Sequence, residues 1–284
     1  MITCLPESDI ERFIEEDVPY GDLTTDLLAI GTIPGRIVFT TREETTLCGS
    51  EEAVKVLQAC GATLTSCMSS GTKLAAGIDF LVINGPAQAL HAGWKVALNL
   101  LEYASGIASR TQRIVDTSRA INPALSVVTT RKSFPGTKRL AIKAITAGGA
   151  LPHRLGLSET VLVFKQHTAF LGGLESFLAT IAELRIKARE TKIIVEADTV
   201  EEALLVAHSG ADIVQLDKIT PAELVETVTA IRTANPNILI SAAGGITEAN
   251  AAKYAATGID IIVLSSVYFG KPSDIGVSIQ PVCI

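Results

Sequence analysis

From Leu125 to Leu264 the chain alternates two kinds of segment, and that rhythm limits the fold more than any other feature. Six apolar, β-branched runs occur at Leu125–Thr130, Thr160–Phe164, Lys192–Ala197, Asp212–Leu216, Asn237–Ala242 and Asp260–Leu264. Between them lie amphipathic stretches at Thr137–Ala147, Glu175–Glu190, Val200–His208, Pro221–Ala234 and Glu248–Ala256. Strands that are apolar throughout and alternate with helices imply a parallel sheet covered by helices. Thr220-Pro221 places an N-cap before a proline at the first helical position, and Gly210 and Gly258 stand where helix ends favour glycine. Ser209–Val214 and Thr257–Ile262 echo each other at an offset of 48 residues. Two βα units fit that interval, which favours a barrel over a doubly wound sheet. No GxGxxG follows any strand, which argues against a dinucleotide fold.

The first hundred residues lack this rhythm. Short β-rich pieces such as Gly35–Thr41 and Phe80–Gly85 surround a helical stretch at Glu51–Gln58, with Ser50 as its expected N-cap. A long helix is expected from about Ala92 to Ala120, with Val96, Leu100, Tyr103 and Ile107 on one face. The expected division is an N-terminal α+β domain over 1–106, joined by the tail 270–284, and an α/β barrel over 107–269.

Charge narrows the function. The net charge of −6 disfavours nucleic acid and anionic membranes as partners. No apolar run is long enough for a membrane helix, and the acidic start from Met1 to Asp9 does not look like a signal peptide. Five cysteines without close spacing (Cys4, Cys48, Cys60, Cys67 and Cys283) suit a reducing cytoplasm rather than a zinc or redox motif. Yet the 42 residues from Thr117 to Ser158 contain no Asp or Glu, while holding Arg119, Arg131, Lys132, Lys138, Arg139, Lys143, His153 and Arg154. A solvated basic face would explain such a run; an anion site explains the missing acids as well.

Barrel chemistry sits at the C-terminal ends of strands. Those ends carry Arg131-Lys132, then Lys165, then Glu196, then Asp217, then Ala243-Gly244-Gly245 with Thr247 as a helix cap, then Ser265-Ser266. Gly-rich turns late in a barrel let backbone N–H groups approach phosphate. Two carboxylates in the same mouth suit ribose hydroxyls or a magnesium ion shared with substrate phosphates. Arginines bind carboxylate or phosphate as a bidentate fork. His91, His208 and Trp94 stand outside these clusters and are expected to be structural.

Several strings, in order and spacing, resemble the quinolinate phosphoribosyltransferase family. They are Glu16–Thr25, Ala97–Leu101, Ser105–Ala108, Thr130-Arg131-Lys132, Pro135-Gly136, His153–Leu157, Gly210-Ala211-Asp212, Leu216-Asp217 and Gly244–Thr247. The resemblance spans about Asp9 to Pro272. It implies an N-terminal α+β sandwich with an incomplete α/β barrel. It also implies transfer of 5-phosphoribosyl from phosphoribosyl pyrophosphate, with magnesium, and active sites shared within a homodimer or higher oligomer. By the same resemblance, Arg131, His153 and Arg154 grip the acceptor's carboxylates and Lys132 faces acceptor and phosphates. Glu196 and Asp217 face ribose and metal, and Gly244 and Gly245 cradle the 5-phosphate; Ala243, Ser265 and Ser266, at the late strand ends, are expected beside it. Lys95 is the cation lent by a neighbouring subunit, where the family has Arg.

The departures matter as much. The family's Ile-Lys-Asp-Asn-His is Val163-Phe164-Lys165-Gln166-His167 here, so a lysine facing quinolinate becomes Phe164, with Lys165 next door. Pro152 replaces an Asn, and Ser241–Gly245 and Leu264-Ser265-Ser266 differ from Glu-Ala-Ser-Gly-Gly and Val-Gly-Ala. These changes resemble the ModD branch, a relative associated with molybdenum-transport genes. Losing a charge-assisted contact costs roughly 1.5–3 kcal/mol, or at least about tenfold in quinolinate affinity. The expectation is an N-heterocyclic acceptor other than quinolinate, or one with less negative charge. Two other functions fit the same residues: an oxyanion-binding protein without turnover, and a lyase using Lys132 or Lys165 as a Schiff-base nucleophile.

Overall fold

The computed structural model describes residues 4–282, so Met1–Thr3, Cys283 and the last residue of the expected tail lie outside it. Its strands are β1 (Pro34–Thr41), β2 (Thr45–Thr46), β3 (Thr63–Cys67), β4 (Lys73–Leu74), β5 (Asp79–Pro86), β6 (Ser126–Thr129), β7 (Leu151–Pro152), β8 (Val161–Val163), β9 (Ile193–Ala197), β10 (Ile213–Asp217), β11 (Leu239–Ala243), β12 (Ile261–Leu264) and β13 (Ile275–Pro281). Two compact units result: Met1–Gln112 with Phe134–Gly149 and Tyr268–Ile284, and Arg113–Ser133 with Ala150–Val267. The boundary falls inside the long helix, which runs from Ala87 to Ile121.

In the first unit an antiparallel sheet has the order β13-β1-β5-β3. Side chains alternate across it, so Ile37 and Phe39 of β1 turn inward with Leu81 and Ile83 of β5. They pack on Ala53, Val56 and Leu57 of the helix Ser50–Ala59 and on Ala97 and Leu101 of the long helix. Ser50 is the first residue of its helix rather than the cap; Gly49 holds that place at φ 90°, which favours glycine. The helix Lys138–Ala147, expected in the barrel, clusters with this unit instead. Its Lys143 is 5% exposed and places Nζ 2.6 Å from Glu52 and 2.8 Å from Glu51. Arg139 likewise meets Asp9 at 3.2 Å. Acids from elsewhere in the chain thus neutralise part of the run that carries none of its own.

The second unit is a seven-stranded parallel sheet in the order β7-β6-β12-β11-β10-β9-β8. This is a cyclic order with one break, between β7 and β8, so the barrel stays open along that seam. β7 has two residues, and Pro152 supplies no N–H for a further ladder, as expected only at a sheet edge. No helix separates β7 from β8.

Helices Val200–His208 and Pro221–Ala234 form where their periodicity places them. Thr199 accepts the Glu202 N–H, and Thr220 with Glu223 forms a reciprocal capping box. The stretch Glu175–Glu190 instead divides into Leu174–Leu178 and Ile181–Lys187. At the break the Thr180 hydroxyl donates to Phe177 O at 2.7 Å, a local bond that competes with helix continuation. The internal echo is structural. Asp212 accepts the Ile193 N–H at 2.7 Å and pairs with Arg185 at 2.7 Å. Asp260 accepts the Ile240 N–H at 2.7 Å and pairs with Arg232 at 2.6 Å. Each aspartate ties the start of one strand to a helix, at the end of the barrel away from the strand C-termini.

Candidate active site

The C-terminal strand ends of the second unit surround a cavity of 480 Å³. Inward residues along β10 show its depth. Ile213 packs with Leu162 and Ile194 in an apolar plug, Gln215 lies one layer nearer the mouth, and Asp217 ends the strand. Gln215 stands in register with Glu196 of β9 and Ser241 of β11, so one side-chain layer crosses three strands.

One wall is cationic. Arg131 and Lys132 follow β6, while His153 and Arg154 follow β7, and all four line the cavity. The His153 N–H donates to Thr129 O at 2.9 Å, which extends the ladder and fixes the start of this segment. Burial, then the neighbouring Arg154 charge, pushes the His153 ring down to about 4, so it is a neutral imidazole at physiological pH. Burial and Arg131 likewise lower Arg154. Cations set against one another in this way are poised for an anion.

The opposite wall carries Glu196 and Asp217. Burial raises the Glu196 carboxyl, and the Asp217 and Asp198 charges add to it; the hydrogen bond from Gln215 opposes them. Between the walls Ala243, Gly244 and Gly245 turn out of β11, and Ser265 follows β12. Gly244 (φ 85°) and Gly245 (φ 69°) both occupy left-handed backbone. A Cβ on Gly244 would lie 2.6 Å from Lys218 Cγ and 2.7 Å from Asp217 Oδ1, whereas one on Gly245 would meet nothing within 4 Å. Gly245 therefore leaves its backbone open to a ligand.

The structure thus gathers Lys132, Arg131, His153, Arg154, Glu196, Asp217, Ala243, Gly244, Gly245 and Ser265 in one cavity. Three expected residues are not among its lining. Lys165 turns to Asp198 at 2.6 Å and Glu202 at 3.6 Å, and Asp198 first among its neighbours holds its ammonium charged. Phe164 takes the cavity position, so Lys165 does not replace the lysine that Phe164 displaces. Ser266 starts a short 3-10 turn with its hydroxyl buried, and Lys95 belongs to the first unit, 5.3 Å from the Trp94 ring. Thr247 does not cap the next helix. That helix begins at Ala251, and Asn250 closes the loop by accepting the Thr247 N–H at 2.7 Å and donating to Gly245 O at 3.0 Å.

Two polar residues of the cavity, Gln215 and Lys218, have no role assigned from sequence. Gln215 is a lone polar residue inside an apolar strand, a pattern that could have marked it. Lys218 followed Asp217 as an ordinary exposed lysine. Outside the cavity, His91 bonds Thr25 at 2.8 Å and His208 bonds Leu204 O at 2.8 Å, both local structural roles. Among the described residues no helix is long and apolar enough to cross a membrane.

Known proteins resemble this chain in sequence and fold. Residues 22–105 match the N-terminal domain of quinolinate phosphoribosyl transferase, and residues 107–278 match its C-terminal domain. The ModD protein of Rhodobacter capsulatus is 44% identical over 250 residues, covering 87% of this chain and 95% of that one. Nicotinate-nucleotide pyrophosphorylase (carboxylating) of Rattus norvegicus is 30% identical over 266 residues, covering 92% and 86%. NadC from Streptococcus pyogenes superposes with a TM-score of 0.88 at 24% identity, covering 99% and 100% of the two chains, which shows a shared fold. With both of its domain models matched in order along nearly the whole chain, the protein belongs to the quinolinate phosphoribosyltransferase family.

Proposed function

We propose that this protein transfers 5-phosphoribosyl from phosphoribosyl pyrophosphate to an N-heterocyclic acceptor and releases pyrophosphate. The observation that carries this reading is the convergence of a cationic wall, a carboxylate pair and a Gly-Gly turn on one cavity. The open backbone at Gly245 suits the 5-phosphate. Arg131 and Arg154 suit an acceptor carboxylate, with His153 as a neutral hydrogen-bonding neighbour. Glu196 and Asp217 face the position where positive charge develops on the ribosyl centre, and stabilise it electrostatically.

The residues also fit magnesium, though not as a resident ion. Among the described residues no group of three or more His, Cys, Asp and Glu could hold a metal. Two carboxylates suit a magnesium ion that keeps its waters and arrives on substrate phosphates. Glu196 and Asp217 would hold it, and it would neutralise charge on the leaving pyrophosphate.

Phe164 sets the acceptor class. With an aromatic ring on the wall and Lys165 committed to Asp198, the acceptor side has one cation fewer than the family pattern, in which a lysine faces quinolinate. The acceptor is therefore a heterocycle with less negative charge than a dicarboxylate. The same reading makes the protein a cytoplasmic homodimer or higher oligomer in which a neighbour lends Lys95. Lys165 is a poor Schiff-base nucleophile, since that chemistry needs a lysine with a lowered pKa. The test is pyrophosphate release from phosphoribosyl pyrophosphate and magnesium across N-heterocyclic mono- and dicarboxylates. Release with a monocarboxylate faster than with quinolinate supports the proposal; anion binding without release from any acceptor sinks it in favour of an oxyanion-binding protein.

A further inference from the structure

Lys218 has a backbone conformation that its side chain disfavours. Its φ is 60°, and Ala29 is the only other non-glycine with positive φ among the described residues. Bulky side chains enter this region at a cost, and the surroundings must hold them there. Here they do. The Lys218 N–H donates to Ala243 O at 2.8 Å, which extends the ladder one residue beyond the end of β10. The Lys218 stem then crosses Gly244, where any Cβ would lie 2.6 Å from Lys218 Cγ. Its ammonium ends 3.0 Å from Asp217 Oδ2, with the side chain 80% exposed at the cavity lining. The strained residue, the glycine beneath it and the carboxylate at its tip form one assembly beside the Gly-Gly turn.

We propose that Lys218 is a further substrate-binding residue, an ammonium that meets the pyrophosphate part of phosphoribosyl pyrophosphate at the mouth of the site. The inference rests on the phosphoribosyl-transfer reading above. An ammonium at hydrogen-bonding distance from Asp217 already occupies the approach to one of the two carboxylates expected to hold magnesium. It supplies positive charge to the same phosphates. Binding of the donor then depends less on magnesium than two bare carboxylates would make it. The exposed side chain is free to swing from Asp217 to an arriving phosphate, while the fixed backbone keeps its root beside the glycine turn.

The experiment is calorimetric binding of phosphoribosyl pyrophosphate, with and without magnesium, to the native protein and to Lys218→Asn and Lys218→Met. Asparagine tolerates left-handed backbone, so Lys218→Asn keeps the turn and separates charge from folding. Thermal melting is measured in parallel. Lys218→Asn should melt at or above the native temperature yet bind the donor roughly tenfold or more weakly without magnesium, as loss of a charge-assisted contact does. Added magnesium should recover more binding in either variant than in the native protein. Native-like affinity and magnesium dependence in both variants would overturn this inference alone. Failure of the native protein to bind the donor under any condition would overturn it together with the reading beneath it.

Discussion

Gln215 Nε2 donates a 2.9 Å hydrogen bond to Glu196 Oε2 across neighbouring strands, and through it a buried glutamine steadies a partly desolvated carboxylate of the cavity. The bond favours the ionised carboxylate while burial and Asp217 favour the protonated one, and the balance leaves Glu196 above its ordinary 4.5. Between pH 4.5 and the raised value the folded state therefore holds a proton that the unfolded chain has lost. Stability from this site is greatest below pH 4.5 and declines as pH rises through the elevated value. Glu196→Gln removes that penalty. It should raise the melting temperature at pH 7, by about 2–4 °C for each kcal/mol regained. It should also cut kcat by at least about 100-fold, the usual loss when one preorganised electrostatic group is removed. Melting and pyrophosphate release on the same sample check both; a less stable variant with full activity contradicts the assignment.

His153 titrates in the opposite sense. Its folded value near 4 lies below the 6.5 of an unperturbed ring, so the unfolded chain takes up the proton first as pH falls. Stability is fully present above pH 6.5 and drains away down to about pH 4. His153→Gln should flatten that part of the stability–pH curve in urea unfolding. The His153 ring protons, followed by NMR, should show no titration between pH 6 and 8; a midpoint in that interval would refute the neutral ring.

The two glycines of the β11 turn separate space from backbone. Gly245→Ala meets only the cost of a left-handed alanine, about 1–2 kcal/mol. Gly244→Ala adds a collision with Asp217 and Lys218 and should cost about 3 kcal/mol or more. Chemical denaturation ranks the pair. Equal losses would mean that the Asp217–Lys218 assembly does not rest on Gly244.

Phe164→Lys restores a cation where the ring lines the cavity, 5.7 Å from the His167 ring with which it stacks. It should tighten quinolinate binding by about tenfold or more, for a charge-assisted contact of roughly 1.5–3 kcal/mol. Calorimetry with quinolinate and a monocarboxylate measures the shift, which should be larger for the dicarboxylate. An equal gain for both would show that Phe164 does not set acceptor charge.

What could be read along the chain was what neighbours in sequence decide. The βα alternation, the Thr220–Glu223 capping box, the glycines past helix ends and the order of charged strand ends all follow from periodicities and bonds within a few residues. Even so, Thr180 bonds back to Phe177 and divides a stretch whose apolar pattern runs on without a break. Ten of the expected site residues line one cavity because residues that end parallel strands share one rim of a barrel.

Partnership was decided elsewhere. Arg131 and Lys143 look alike in the acid-free run, yet one lines the cavity while the other is buried against Glu51 and Glu52, some ninety positions away in sequence. Lys165 points to Asp198 rather than into the cavity, and Lys218 takes a left-handed turn that only the Gly244 gap permits. A charge acts through the groups within a few ångströms of it, and for these residues the fold chooses those groups. Composition and spacing pointed to an anion site; which cations face the cavity is a property of the packed chain.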